Sequence, residues 1–159
     1  MKVKDIMVPL SGHLSPEDTL RQAVLTMRAD NRRHGQGTKG MVVLDDQGVL
    51  VGVLAIKDIM RATIPEYLNL QISRFSWDGM LEELARRVAC KKVSEFMSRD
   101  VVTIDEEASL MACTDLLIKK NLQRLPVVNQ AGKVVGIIFI RDVYNEISRI
   151  FVDEAECRR

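Results

Sequence analysis

Two aspartates occupy the same place in two similar stretches of this chain. Asp58 lies near the end of GVLVGVLAIKDI (residues 48–59) and Asp142 near the end of GKVVGIIFIRDV (132–143), each directly after a cation, Lys57 or Arg141. A carboxylate in that position can serve as a general acid or base, as an acceptor for a bound ligand, or as a cap for a helix beginning there. The rest of a catalytic apparatus is missing. No G-x-S-x-G, H-E-x-x-H or P-loop pattern is present, and repetition of one unit explains the paired aspartates without acid–base chemistry. His13 and His34 have no His, Cys or Asp partner at ligand spacing, so no metal site is expected. Cys90, Cys113 and Cys157 are odd in number and widely spaced, which argues against a disulfide framework or a zinc site. The expectation is a protein that is not an enzyme.

The bulk composition bounds the remaining classes. At 159 residues the chain suits one domain, or two small halves sharing a core. A net charge of +1 gives no general attraction for nucleic acid or an anionic membrane. MKVKDIMVPL lacks the apolar core of a signal peptide, and the apolar run Val134–Ile140 is too short to span a bilayer. A cytoplasmic, reduced protein with no membrane partner is expected. NRRHGQGTKG (31–40) is rich in Gly and Arg, but a solvated loop is preferred to a phosphate or nucleic-acid contact. Phe75 and Trp77 read as core or interface anchors rather than a base-stacking platform, and the eight Met residues mostly as core filler.

The elements that position the aspartates come in two copies. At an offset of 90 residues, VKDIM (3–7) meets VSEFM (93–97), and SPEDTL (15–20) meets DEEASL (105–110). Further on the offset falls to 84, pairing Gly52 with Gly136 and Asp58 with Asp142. Each copy reads as a short extended stretch, a helix, two strands and a second helix. Ser15 and Asp105 are the expected N-caps of the first helices, with Pro16 and with Glu106 and Glu107 in their first turns. Leu20, Ala23, Val24 and Met27 give helical spacing, as do Leu110, Cys113 and Leu117. MVVLDDQGVLVGVLA and LPVVNQAGKVVGIIF are hairpin signals, and short second helices follow from Lys57 and Arg141. In the connector, Asp78 is the expected cap of a helix with an apolar stripe of Leu81, Leu84, Ala85 and Val88. Glu82–Arg86 and Glu83–Arg87 lie on its wet side.

The paired DIM and EFM openings, RLPVV at 124–128, the G-x-(V/L)-x-G hairpin ends and the closing GVLAIKD and GIIFIRD together resemble a tandem pair of CBS domains, or Bateman module. The resemblance covers almost the whole chain. It implies an α+β fold of two β-α-β-β-α repeats, packed sheet to sheet about a pseudo-twofold axis. The division would be residues 1–62 for the first repeat, 63–92 for a helical connector and 93–159 for the second. A unit of about 60 residues is marginal alone, so pairing supports stability before any ligand is considered.

The resemblance also implies function: a stand-alone regulatory module in which an inter-repeat cleft senses an adenosine-containing ligand and acts on a partner in trans. Candidate ligands are AMP, ADP, ATP, S-adenosylmethionine and NAD, with no cofactor required. The Asp of the closing motif would accept hydrogen bonds from a ribose diol, and a hydroxyl three residues earlier would help hold phosphate. Asp58 and Asp142 match the Asp, but the hydroxyl position holds Ala55 and Phe139. By resemblance the sites are crossed. Lys57 and Asp58 would face Val101, Thr103, Gln123, Arg124 and Leu125. Arg141 and Asp142 would face Leu10, Gly12, Lys39, Gly40 and Met41. Arg124, Lys39, Lys57 and Arg141 would then form an anion-binding groove. The Asp58 cleft ranks above the Asp142 cleft because of Phe139 and the inserted loop. The alternative is a degenerate pair that serves as a dimerisation or interaction scaffold without ligand. A homodimer is expected either way, with an unknown regulated protein as partner and nucleic acid disfavoured.

Overall fold

Asp45 and Asn129 shape the two hairpin turns in the same way. The Asp45 carboxylate accepts from the backbone N–H of Gln47 and Val49, and the Asn129 amide oxygen from Ala131 and Lys133. Each turn then needs a left-handed residue, supplied by Gly48 (φ 77°) and Gly132 (φ 78°). The computed structural model describes residues 1–34, 39–64 and 77–153, with 31–34 as backbone only. Residues 35–38 of the inserted loop, Phe75, Cys157 and residues 65–76 of the connector lie outside the described residues, as does the His34 side chain.

Along the described chain the elements are α1 (Val3–Ile6), β1 (Val8–Pro9), α2 (Leu20–His34), β2 (Gly40–Leu44), β3 (Leu50–Ala55), α3 (Ile56–Thr63) and α4 (Met80–Val88). They continue through a 3-10 turn at Val93–Glu95, β4 (Ile104–Asp105), α5 (Leu110–Lys119), β5 (Arg124–Val128), β6 (Val134–Phe139) and α6 (Ile140–Asp153). The fold is α+β. The chain forms two compact units, one of Met1–Ser11 with Val102–Arg159, the other of Gly12–Val101. The opening segment of each sequence repeat therefore belongs to the unit built around the other repeat's hairpin.

In the unit containing both termini the sheet order is β1-β6-β5-β4. β5 and β6 are antiparallel, β4 runs parallel to β5, and β1 pairs antiparallel with β6 through Val8–Ile137 and Pro9–Gly136. In the other unit β2 and β3 form the hairpin. Single bridges from Leu14 to Val43 and from Ser98 to Val53 stand where β4 and β1 stand in the first. Both hairpins carry a bulge at the same place, Val43/Leu44 and Val127/Val128.

The second glycine of each GxxxG pattern is explained by these docked segments. A Cβ at Gly136 would lie 2.6 Å from the Val8 carbonyl oxygen and 2.9 Å from Met7 Sδ. At Gly52 it would lie 2.8 Å from the Ser98 carbonyl oxygen and 2.8 Å from Met97 Sδ. The same segments close the starts of the long helices. Val3 and Lys4 donate backbone N–H to the carbonyls of Ala108 and Glu106, and Leu110 N–H donates to Met1. In the second unit Val93 and Ser94 donate to Asp18 and Pro16, and Leu20 donates to Lys91. Ion pairs add to each dock. Glu107 bridges Lys2 and Lys4 at 2.5 Å each, and Lys92 meets Glu17 at 2.6 Å.

Each unit has its own core. Leu14, Leu20, Ala23, Met27, Met41, Val43, Leu54, Val93 and Met97 pack together in one. Val3, Ile104, Cys113, Leu117, Leu125, Val127, Ile138 and Val143 pack in the other, where burial pushes the Cys113 thiol pKa up. Position by position these are largely the same core with different apolar side chains.

Three local expectations are corrected. Ser15 and Asp105 do not cap α2 and α5: they make side-chain turns four or five residues earlier, with Ser15 Oγ accepting from Glu17 and Asp105 from Glu107. The helices begin later because the opening segment occupies the backbone carbonyls of residues 16, 18, 106 and 108. Thr19 and Gln22 instead form a reciprocal capping box on α2, and Ser109 Oγ accepts from Ala112 on α5. Asp78 does not cap α4 either. Gly79 (φ 88°) is the N-cap, Met80 is buried, and Leu81 and Ala85 of the expected stripe face solvent, although Glu83–Arg87 does form. Trp77 is 59% exposed, so it anchors no core within the chain.

Two measurements test this scheme. Gly136→Ala and Gly52→Ala are each expected to destabilise the chain by about 1–3 kcal/mol, because backbone oxygens and not only flexible sulfur block the new methyl. Urea unfolding reads this directly, and wild-type midpoints in both would overturn the docking account. The two lysines hold the Glu107 carboxyl at a pKa of about 2, below its ordinary 4.5. Its contribution is therefore complete above pH 4.5 and fades as pH falls toward 2. Glu107→Gln is expected to flatten the acid loss of stability in that window, followed by circular dichroism.

Candidate functional site

Each aspartate sits in the first turn of the helix that follows its hairpin. α3 begins at Ile56, whose N–H donates to the Lys39 carbonyl (3.1 Å). α6 begins at Ile140, whose N–H donates to the Gln123 carbonyl (2.9 Å). The hairpin's first strand thus fixes the helix start, and the third helical residue is Asp58 or Asp142. At the adjoining strand ends Gly40 pairs with Ala55, and Arg124 with Phe139. The first pair leaves little side-chain bulk beside Asp58. The second places two large half-buried side chains beside Asp142.

The two carboxylates differ in their commitments. Asp58 is buried; one oxygen accepts from the Ala55 backbone N–H at 2.8 Å and the other from Arg61 at 3.2 Å. It is the reciprocal half of a helix cap, fixed in orientation, with acceptor positions left on both oxygens. Asp142 is half-buried and has no hydrogen-bond or ion-pair partner among the described residues. It lines an open groove of about 310 Å³ with Ile6, Val8, Asn145 and Glu146. Glu146 pairs with Arg149 at 2.5 Å. Two carboxylates on one groove make it unfavourable for an anion.

The other expected residues fall as follows. In the Gly12–Val101 unit, Lys39 and Lys57 are exposed, Gly40 is buried, Gly12 and Val101 are half-buried, and the Met41 side chain belongs to the core. In the other unit Gln123 and Arg141 are exposed, and Leu10, Thr103 and Arg124 are half-buried. The Leu125 side chain is wholly in the core. Burial lowers the Arg124 guanidinium pKa from its usual value. The structure thus gathers Lys39, Gly40, Lys57 and Asp58 at one hairpin end, and Gln123, Arg124, Arg141 and Asp142 at the other. The crossed groupings draw residues from both units. Met41 and Leu125 have only backbone left to offer a ligand. Arg61, Asn145 and Glu146 were missed, although helical spacing from Asp58 and Asp142 puts Arg61 and Glu146 within reach. Among the described residues no cluster of His, Cys, Asp or Glu is arranged to hold a metal.

Comparison with known proteins now decides the family. A CBS domain profile matches residues 3–64 and 93–149. The chain belongs to the CBS domain family. It is 28% identical over 141 residues to the CBS domain-containing protein YhcV of Bacillus subtilis, covering 89% of this chain and 81% of that protein. The fold matches CBSX2 of Arabidopsis thaliana, solved in complex with AMP (TM-score 0.68, 23% identity, 94% and 98% of the two chains). It also matches the cytosolic domain of the Mg²⁺ channel MgtE in complex with ATP (TM-score 0.67, 20% identity, 91% of this chain and 48% of that one). The CBS pair spans as little as 21% of the length of the curated relatives it matches. No described helix is long and apolar enough to cross a membrane.

The different commitments of the two carboxylates have a consequence without any ligand. Asp58→Ala is expected to cost about 1 kcal/mol of stability by orphaning the Ala55 N–H, whereas Asp142→Ala should stay within about 0.5 kcal/mol. Urea unfolding of both variants checks this, and equal costs would show that the Asp58 contacts carry no weight.

Proposed function

We propose that this CBS pair is a non-catalytic regulatory module that binds an adenine nucleotide and transmits its presence to a partner protein in trans. The observation that carries the reading is Asp58. It is a buried carboxylate with both oxygens fixed by Ala55 and Arg61, beside the small Gly40–Ala55 pair and the cations Lys39 and Lys57. An oriented carboxylate suits a ribose diol, and exposed lysines suit phosphate. The AMP and ATP complexes of the two structural relatives support the ligand class. Thr103, Gln123, Arg124, Leu125 and Val101 complete this cleft in the proposal. The Asp142 cleft, with Arg141, Leu10, Gly12, Lys39, Gly40 and Met41, ranks second, since Phe139 and Glu146 disfavour a phosphate there. The module acts as a homodimer; exposed Met111, Ile118, Tyr144, Phe151 and Val152 supply apolar surface for it.

Binding would act through different affinities for two states of the module, with no bond made or broken. A ligand-free scaffold is the second reading, favoured by the bulk of Arg124 and Phe139 and by the absence of a hydroxyl at Ala55 and Phe139.

The test is titration calorimetry and thermal unfolding with AMP, ADP, ATP, S-adenosylmethionine and NAD. A ligand at about 100 times its Kd adds roughly 2.7 kcal/mol, which raises Tm by about 5–10 °C. Asp58→Asn retains an acceptor for the Ala55 N–H and is expected to weaken binding by about tenfold or more. Asp142→Asn should weaken it less. The reverse order overturns the choice of cleft, and no binding at millimolar ligand overturns the sensor in favour of the scaffold.

A further inference from the structure

The two repeat aspartates differ in the residue one helical turn beyond them. At the offset that pairs Asp58 with Asp142, Arg61 stands where Asn145 does. Residues three apart are neighbours on a helix surface, so a cation at the later position reaches the carboxylate. Arg61 Nη1 lies 3.2 Å from Asp58 Oδ1, and the Asp58 side chain is 10% exposed. Asp142 is half-buried, exposed Asn145 does not reach it, and it has no partner among the described residues.

The two bonds of Asp58 are unlike. Oδ2 accepts from the Ala55 backbone N–H at 2.8 Å as half of the helix cap, and leaving it would orphan that donor. Oδ1 accepts one longer bond, from a side chain that is 73% exposed. A one-point pair whose cation lies mostly in water is weak and exchangeable. Arg61 also has a second place to rest. It belongs to the last turn of α3, where a cation meets the unpaired carbonyls of the helix end.

We infer that Arg61 is a displaceable cover on Asp58: it holds Oδ1 while the site is empty and yields it to the paired hydroxyls of a ribose. This rests on the nucleotide reading above and deepens it, because it names a contact that differs between the free and bound states. A vicinal diol donates two hydrogen bonds, one to each carboxylate oxygen. Oδ2 keeps an acceptor position beside the Ala55 N–H, and Oδ1 regains one when the guanidinium leaves. The cover satisfies a buried carboxylate in the absence of ligand, and its competition sets the concentration at which the site fills. Asn145 supplies no such cover to Asp142.

The test is titration calorimetry of the full chain with AMP and ATP and with their 2′,3′-dideoxy counterparts, which keep base and phosphate but lack the diol. A dideoxy ligand leaves Arg61 in place, so the ratio of the two affinities cancels any effect of the lost charge on phosphate. Arg61→Asn gives the first repeat the second repeat's residue. It is expected to raise the preference for the diol ligand by about two- to fivefold, with folding confirmed by circular dichroism. Arg61→Lys can remake a one-point contact and should keep the wild-type preference. In an Asp58→Asn background, Arg61→Asn should change nothing. An unchanged preference in Arg61→Asn overturns the cover and leaves nucleotide binding standing. A reduced preference also overturns it, and makes Arg61 a direct contact of the ligand. No binding of either nucleotide to the wild type or to Arg61→Asn overturns the nucleotide reading and this inference together.

Discussion

The close approach of a backbone to Gly52 and to Gly136 is the constraint on which the rest of the structure depends. No side chain fits between the hairpin and the segment crossing it, because the carbonyls of Ser98 and Val8 already stand within 2.8 Å and 2.6 Å of where a Cβ would be. That contact sets the depth at which Met97 and Met7 enter, and it aligns the preceding turn against the loop ahead of the long helix. The loop carbonyls then receive backbone N–H groups that would otherwise need side-chain caps. One steric requirement thus decides where the opening segments lie, where α2 and α5 begin, and which core each segment completes.

It also explains why the units are not the sequence repeats. The segment that completes each hairpin comes from the other copy, so each unit is discontinuous in sequence. Neither hairpin is finished by its own repeat. A chain built this way links the two halves through covalent topology and local packing, before any ligand or partner is added. The machinery shared by the two repeats lies on the inside: turn, bulge, second glycine and helix start recur in both units with the same bonds. Asp58 and Asp142 inherit their positions from that machinery, since the carbonyls of Lys39 and Gln123 fix the first turn of α3 and α6.

Much of this was legible in the sequence. Continuous apolar, β-branched runs around DDQG and NQAG gave both hairpins, and helical spacing placed the inner faces of α2 and α5 on the right residues. The closing motifs put both aspartates at helix starts. Less legible were the helix ends. Ser15 and Asp105 have the right chemistry for a cap, but a backbone segment about 80 residues away, or at the far end of the chain, uses the carbonyls beside them, and local composition does not carry that information. Asp78 failed for a related reason: Gly79 turns left-handed at the position a cap would need. The commitments of the two carboxylates were equally hidden. Arg61 and Glu146 stand at helical spacing from them, yet spacing alone does not say that Arg61 turns back to Asp58 while Glu146 joins Asp142 on a groove.

Divergence between the copies is therefore most informative where the fold leaves it free. Inside, Ala23 became Cys113 and Met41 became Leu125, changes that keep an apolar core and say only that packing is preserved. At the hairpin ends and on the outer helix faces the copies differ in chemistry as well as size: Gly40 stands where Arg124 does, Ala55 where Phe139 does, and Leu25 where Asp115 does. A pair serving only to complete its own cores has no physical need for these contrasts. A pair with two unequal binding sites does need them, because unequal sites permit one ligand to be read at one of them. The inequality of the two copies, more than their likeness, is where the functional content of this chain resides.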